Sequence, residues 1–389
     1  MQSNKYIIKN LAPWMLDELI AFSQITSFEI VFLRRQNDFY NEGISQLIEN
    51  GIVIHNNPLS FKKICRKLYT SILFALNNLE KFRLNYNGVI GLKSILWFIK
   101  LDLNLFNSQS KIHAQFATQA SIVSFLIKQF YHNTPEYSFT FHAYDIYFKN
   151  EWFNLLVENC KKAYSISNYN MEYVKKHYIV SDKIILSRLG VFPEAIPFVP
   201  THKTDLNTFT LGLLSWFVEK KGIKYLLQAF IELKNQAYSN IHLILAGDGP
   251  LKEEYLAFIE KNQLSDSIKY IGIIKGEEKR KFFQSLDAFI LPSVAIENDM
   301  DGIPVVLMEA VNYGLPIIST NISGIPEICI NDYNGLLINE RDIDQIKKAL
   351  TRLLNPVLRQ KYSINSLKMA SQYNIVSNSK HKLSMLNWT

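Results

Sequence analysis

The chain is poor in the residues that build covalent or metal staples. Its 389 residues include only Cys65, Cys160 and Cys329. Three cysteines so widely spaced make neither a disulfide framework nor a metal site, and a reducing compartment fits. None of the eight histidines has metal-ligand spacing, so no metal is expected. Long apolar runs are missing as well. GVIGLKSILWFIKLDLNLF is broken by Lys93, Lys100 and Asp102, which keeps it short of the roughly 18 uninterrupted residues of a spanning helix. Asp17 and Glu18 interrupt the apolar run of MQSNKYIIKNLAPWMLDELIAF, so it does not read as a signal peptide. There is no internal repeat and no low-complexity tract. These readings predict a cytoplasmic protein or one bound peripherally to a membrane.

Acidic residues are nearly absent from residues 61–111. That window holds nine bases, Lys62, Lys63, Arg66, Lys67, Lys81, Arg83, Lys93, Lys100 and Lys111, against Glu80 and Asp102. The difference, nine minus two, equals the formal net charge of the whole chain, +7. With Tyr69, Phe74, Phe82, Trp97 and Phe98 in the same window, the segment reads either as a helix pair with a solvated basic face or as a surface for an anionic membrane. Nucleic acid is not expected, because no recognition motif accompanies the charge.

The hydrophobic content is 48% and the charged content 20%, an ordinary globular balance. A single core rarely grows past roughly 250 to 300 residues, so two domains are expected. Strands are predicted at 28–33, 51–55, 111–116, 137–142, 162–167 and 183–188. After a polar stretch around 200–208 the pattern restarts, at 209–215, 241–247, 268–272, 287–292, 316–320 and 335–338. Helical patterns separate the strands, so the sheets should be parallel and covered on both faces. The predicted division is residues 1–200, residues 201–370, and a C-terminal helix, 371–389, that could pack back on the first domain.

NDMDGIPVVLMEAVNYGLP, residues 298–316, places Glu309 inside an apolar run. Pro304 suits a first helical turn and Gly314 a C-terminal cap, which predicts a helix over 304–313 with Asp301 just before it. Such a helix N-terminus favours anions. Glu309, a turn and a half in, either accepts from a pair of ligand hydroxyls or points to solvent. His142 ends a predicted strand, where site residues of parallel sheets gather. Asp145 fits a helix cap as well as a site, and His113 reads as structural. GDGPLK, residues 247–252, has Lys252 where a dinucleotide loop needs its third glycine.

DGIPVVLMEAVNYGLPIISTNISGIPEI resembles the signature of retaining glycosyltransferases of family 4. LLSWFVEKKGIKYLLQAF resembles that family's phosphate-binding segment, and LILAGDGPLKEEYLAFIEKNQLSDSIKYIG the nucleotide-side segment after it. DAFILPS, YSFTFHAYDIY and KIHAQFA agree in order; the last is similar to a strand in the family's polysaccharide-assembly members. The likeness covers most of residues 111–340 and is faint in 1–110. It implies a GT-B fold, two facing Rossmann-like α/β domains with a cleft between them. The implied activity is retaining sugar transfer from a nucleotide sugar, a UDP-sugar, to a glycan or lipid-linked glycan of a bacterial surface polysaccharide, without metal or other cofactor.

In this reading Glu309 holds the ribose, and Asp301 and His142 meet the donor sugar. Backbone after Gly302, through Ile303, approaches sugar and diphosphate. Lys221, with Lys220, neutralises the diphosphate, and backbone at Gly272 and Ile273 meets the base. Trp216 stands where the family usually has an arginine, and Asp301 where it has a glutamate. The first departure implies a weakened catalyst or a non-catalytic binding partner as the alternative. A nucleotide-sugar epimerase of the same architecture is a further alternative.

Overall fold

A computed structural model describes residues 4–35, 41–83, 85–178, 182–193, 208–235, 240–297 and 299–388. The contacts divide the chain into one unit of Met1–Leu189 with Ile375–Thr389 and a second of Gly190–Asn374. The polar joint expected near residue 200 lies outside the described residues.

The first unit contains β1 (Asn4–Ile8), β2 (Glu29–Phe32), β3 (Val53–Asn56), β4 (Lys111–Gln115), β5 (Glu136–Phe141), β6 (Ala163–Ser165) and β7 (Ile184–Leu186). They form one parallel sheet in the order β3-β2-β1-β4-β5-β6-β7. Sequence pattern missed β1, although it is central. Its five residues, NKYII, open with two polar side chains. Burial of Lys5 is tolerated because Glu29 on the neighbouring strand pairs with it. Tyr6, Ile7 and Ile8 are fully buried.

The second unit contains β8 (Phe209–Trp216), β9 (Ile241–Asp248), β10 (Ile268–Gly272), β11 (Ala288–Leu291), β12 (Ile317–Thr320) and β13 (Gly335–Ile338). Their order is β10-β9-β8-β11-β12-β13, again all parallel. All six were expected. Leu211, Leu213, Leu243, Leu245 and Ile290 form the core with Leu226, Phe230 and Leu350 of the covering helices.

Both sheets are doubly wound. The strand order reverses between β1 and β4 in one and between β8 and β11 in the other. Ligands of such sheets bind outside the carboxyl ends of the strands flanking that reversal. The elements that position the candidate site leave those two places.

Candidate active site

In the second unit, β8 ends at Trp216 and the chain turns through a short 3-10 helix, Glu219–Lys221. Gly222 follows with φ 65°, and a Cβ there would lie 1.9 Å from the Pro292 carbonyl. Glycine is therefore required, and the turn is pressed against the loop leaving β11. The Val294 amide donates to the Lys220 carbonyl at 2.8 Å, fastening the two loops.

This close approach brings Lys220 and Lys221 to Asp299 and Asp301. Lys221 Nζ donates to both oxygens of Asp301, at 2.9 and 2.8 Å. Ser293 Oγ donates to Asp301 Oδ2 at 2.7 Å. Lys220 Nζ donates to Asp299 at 3.0 Å and stands 3.8 Å from Asp301. Burial alone would raise the Asp301 carboxyl, but the charges of Lys221 and Lys220 outweigh it and hold the group below the usual carboxylate range. The Asp-Met-Asp triplet thus presents its carboxylates to ammonium groups. Among the described residues no group of three or more His, Cys, Asp or Glu is arranged to hold a metal.

The helix after Asp301 runs Val305–Asn312 with Pro304 as its N-cap residue. Glu309 neither points freely to solvent nor stands alone. Its Oε1 accepts from Lys279 Nζ at 2.6 Å, with the glutamate side chain 19% exposed. Lys279 lies on the helix Gly276–Ser285, after β10. Sequence reasoning missed it, because nothing in EEKRKFF singles out one base among three. Gly302 and Ile303 form the loop into the Glu309 helix, with Ile303 buried.

Trp216 is 59% exposed at the end of β8, in register with Asp248. Gly272 ends β10 with φ 76°, and Ile273 beside it is exposed. The glycines of GDGPLK serve packing. Cβ atoms on Gly247 and Gly249 would meet Ser215 O at 1.9 Å and Phe217 N at 2.5 Å.

In the first unit, His142 follows β5 and is the N-cap residue of a one-turn helix, Ala143–Tyr147. Asp145 closes a capping box with it, its Oδ2 accepting from the His142 amide at 2.8 Å. Burial pushes the Asp145 carboxyl up to about 7, although the His142 and Ala117 amides pull the other way. Burial, and then the Lys382 charge, lowers His142 to about 3, so the imidazole is neutral at any physiological pH. Trp14 and Phe116 lie against it, with ring centroids at 4.8 and 4.7 Å.

A chain of buried polar contacts ends on that imidazole. Lys382 Nζ donates to Glu18 Oε1 at 2.7 Å, and Tyr6 donates to Glu18 Oε2 at 2.7 Å. The Tyr6 hydroxyl is 2.9 Å from the Gln115 amide, whose other end is 3.1 Å from His142 Nε2. With the amide oxygen facing Tyr6, the single phenolic proton would serve two acceptors. Turning the amide over gives every contact its own proton: Gln115 donates to Tyr6 and accepts from His142 Nε2–H. Neither Glu18 nor Lys382 stood out in the sequence, because 364 residues separate the partners. His113 is held by Ser138 at 2.9 Å and Thr140 at 3.0 Å, as befits a structural residue.

Two doubly wound units in one chain, with a lysine–carboxylate cluster at the strand reversal of the second, define a GT-B-type architecture with an anion-facing site. Residues 200–369 match the family "Glycosyl transferases group 1". Over 171 residues the chain is 35% identical to WcaL of Escherichia coli (strain K12), named for colanic acid biosynthesis, covering 43% of this chain and 41% of that protein. It is 34% identical over 176 residues to the amylovoran biosynthesis glycosyltransferase AmsK of Erwinia amylovora, covering 44% and 42%. The matches thus span less than half of these relatives. The Anabaena protein Alr3699/HepE, solved with UDP and glucose, superposes over 100% of both chains with a TM-score of 0.70 at 13% identity. At that identity the likeness concerns the fold.

Proposed function

We propose that the chain is a glycosyltransferase of bacterial surface polysaccharide assembly. Its donor is a nucleotide sugar, of the UDP class, and its acceptor a glycan or lipid-linked glycan. Transfer proceeds with retention of configuration and without metal. The observation that carries this reading is the pair Lys220–Lys221, held at the strand reversal of a glycosyl transferases group 1 domain by Asp299 and Asp301. Positive charge fixed there suits a leaving diphosphate, and such stabilisation can carry much of the catalysis. A diphosphate must share or displace the carboxylate that Lys221 already serves. In the same way the donor ribose competes with Lys279 for Glu309. A neutral His142 is suited to hydrogen bonding with a sugar hydroxyl rather than to countering charge.

The exposed indole of Trp216 favours a second reading, a donor-binding protein with weak catalysis, since an indole cannot replace a bidentate guanidinium. Thermal unfolding with UDP, GDP and ADP tests the donor site. A nucleotide at 100 times its dissociation constant adds about 2.7 kcal/mol. UDP should raise the melting temperature of the wild type and not that of Glu309→Ala; no response to any nucleotide would count against the donor site. Nucleoside diphosphate release with a competent acceptor then separates the two readings. A substantial wild-type rate left unchanged by Trp216→Arg supports the enzyme, whereas activity only in the variant supports the binding protein.

A further inference from the structure

Two helices of the first unit are built inside out. The helix Ile64–Leu76 buries Lys67, Thr70, Ser71 and Phe74, while Leu68, Tyr69, Ile72, Leu73 and Leu76 are exposed. The helix Tyr86–Lys100 buries Asn87, Gly88, Gly91 and Ser94 beside Ile90 and Phe98, while Tyr86, Val89, Leu92 and Leu96 are exposed. A helix on a water-soluble domain normally turns its apolar stripe inward. Of the 22 large apolar or tyrosyl side chains exposed among the described residues, 12 lie between Leu59 and Leu96. That density is a patch, which calls for an apolar partner, rather than scattered surface hydrophobics.

The inversion is held in place by specific contacts. The helices pack against each other as an antiparallel hairpin, because Ser60 N donates to Lys100 O at 2.7 Å and Asp102 N to Pro58 O at 3.0 Å. Lys67 is fully buried and donates to the carbonyls of Ser60, Ile99 and Leu101 at 2.7, 3.1 and 2.7 Å. It therefore belongs to the lock, not to the basic surface suggested by its place in the 61–111 window. Gly91 admits the Trp152 ring, which a Cβ would meet at 2.5 Å. Small and polar residues face the protein because the hairpin is fastened there by backbone bonds and one large ring.

We propose that this hairpin is a membrane-binding face, which lies in the interface of an anionic bilayer with the exposed stripes of both helices among the acyl chains. Charge complementarity selects lipid over a protein partner. Lys62, Lys63, Arg66, Arg83, Lys93 and Lys100 are exposed around the stripes, and Glu80, paired with Lys81, is the one carboxylate between residues 59 and 101. Apolar stripe plus basic rim is the make-up of an interfacial helix. No helix among the described residues is long and apolar enough to cross a membrane, so the hairpin lies on the bilayer. The face also has a fixed relation to the candidate site of its own unit. Tyr86, which begins the second helix, packs its ring on Phe148 at 5.0 Å, and its hydroxyl meets that of Tyr144, two residues past His142. The proposal stands whether or not the chain transfers a sugar.

The native chain carries its own probe site. Cys65 is exposed, whereas Cys160 and Cys329 are buried, and Cys65 shares a helical face with Tyr69, Ile72 and Leu76. An environment-sensitive dye on Cys65 is followed while the full chain is floated with phosphatidylcholine vesicles, with and without phosphatidylglycerol. Flotation with the anionic vesicles and a blue shift of the dye are expected. Ile72→Ser, Leu76→Ser and Leu92→Ser together should weaken partitioning by more than ~tenfold at any salt concentration. Lys62→Glu, Arg83→Glu and Lys93→Glu should remove the salt-sensitive part. These side chains are exposed, so an unchanged melting temperature certifies the fold of each variant. Equal flotation of the serine variant overturns the proposal. So does a silent dye on a chain that floats, and so does failure to float with any vesicle. In that last case, a wild type that self-associates and a serine variant that does not would reassign the face to protein contact.

Discussion

Each unit carries a lysine–carboxylate pair beside a candidate site residue, and the two pairs differ in enclosure. Lys382–Glu18 is sealed, with side chains 2% and 7% exposed. Tyr6 takes the second Glu18 oxygen, and no face of the pair is left for a ligand. Lys221–Asp301 has the same chemistry, but its lysine is 16% exposed and shares its turn with Lys220, 25% exposed. Lys279–Glu309 is more open still, at 39% and 19%. A pair enclosed on all sides fixes a fold and aligns its neighbours. A pair that opens to solvent on the ammonium side can exchange its carboxylate for another anion. The sealed pair is thus read as the support of His142 and the open ones as places where a ligand competes.

The comparison breaks first, and hardest, at the sealed pair. Lys382→Met leaves Glu18 buried without its countercharge and should cost about 3–5 kcal/mol, read by denaturant unfolding. An effect below ~1 kcal/mol, the level of an exposed pair, would show that the enclosure has been misjudged.

A second prediction concerns pH. The folded pKa of Asp145 is raised to about 7, so the folded chain binds this proton more tightly than the unfolded one. Its contribution to stability is present at low pH and is lost as pH rises toward about 7. His142, lowered to about 3, works in the opposite sense over an overlapping window, gaining stability as pH rises through the ordinary histidine range. The wild-type profile therefore hides both. Asp145→Asn should gain on the wild type by up to about 4 kcal/mol between pH 4 and 7. Parallel stability profiles for the two proteins would remove the buried-acid reading.

Lys221→Met should cost less than Lys382→Met, because Lys220 and Ser293 remain at Asp301. It should nonetheless abolish the UDP response. Loss of stability without loss of that response would move Lys221 into the sealed class. Glu309→Ala should change stability least, by about 1 kcal/mol or less, while losing the nucleotide effect. The subtlest outcome is spectroscopic. Nitrogen-15 NMR should find the proton of His142 on Nε2, and Gln115→Glu should disturb that signal; a proton on Nδ1 in the wild type would mean that the amide oxygen faces Tyr6 and its nitrogen donates to His142.

Legibility in the sequence followed the distance over which each feature is held. The strands of the second unit were readable because each is an apolar run between breakers. The lysine turn, Asp301 and Glu309 could be singled out as candidates because their neighbours form one local pattern. Strand β1 was not, since Lys5 looks unsuited to a sheet centre until Glu29 is seen beside it. Lys279 and the Lys382–Glu18 pair were not, because their meaning lies in a partner that only the fold supplies. The hairpin was half legible. Charge and aromatics marked the segment, but which face is buried depends on the Lys67 lock.

The first unit closes on itself with residues from the far end of the chain. Thr26 donates to the Trp388 carbonyl, and Lys382 reaches Glu18. During synthesis most of this unit is made before the second unit, and its remaining helix only after it. Roughly 185 residues of the second unit are made in between, which at ~5–20 residues per second is ~10–40 s of waiting. Through that interval Glu18 lacks its ammonium partner, and the apolar hairpin is already outside the ribosome. A nascent chain of this kind should depend on chaperones, or on an early encounter with the membrane, more than its finished stability would suggest.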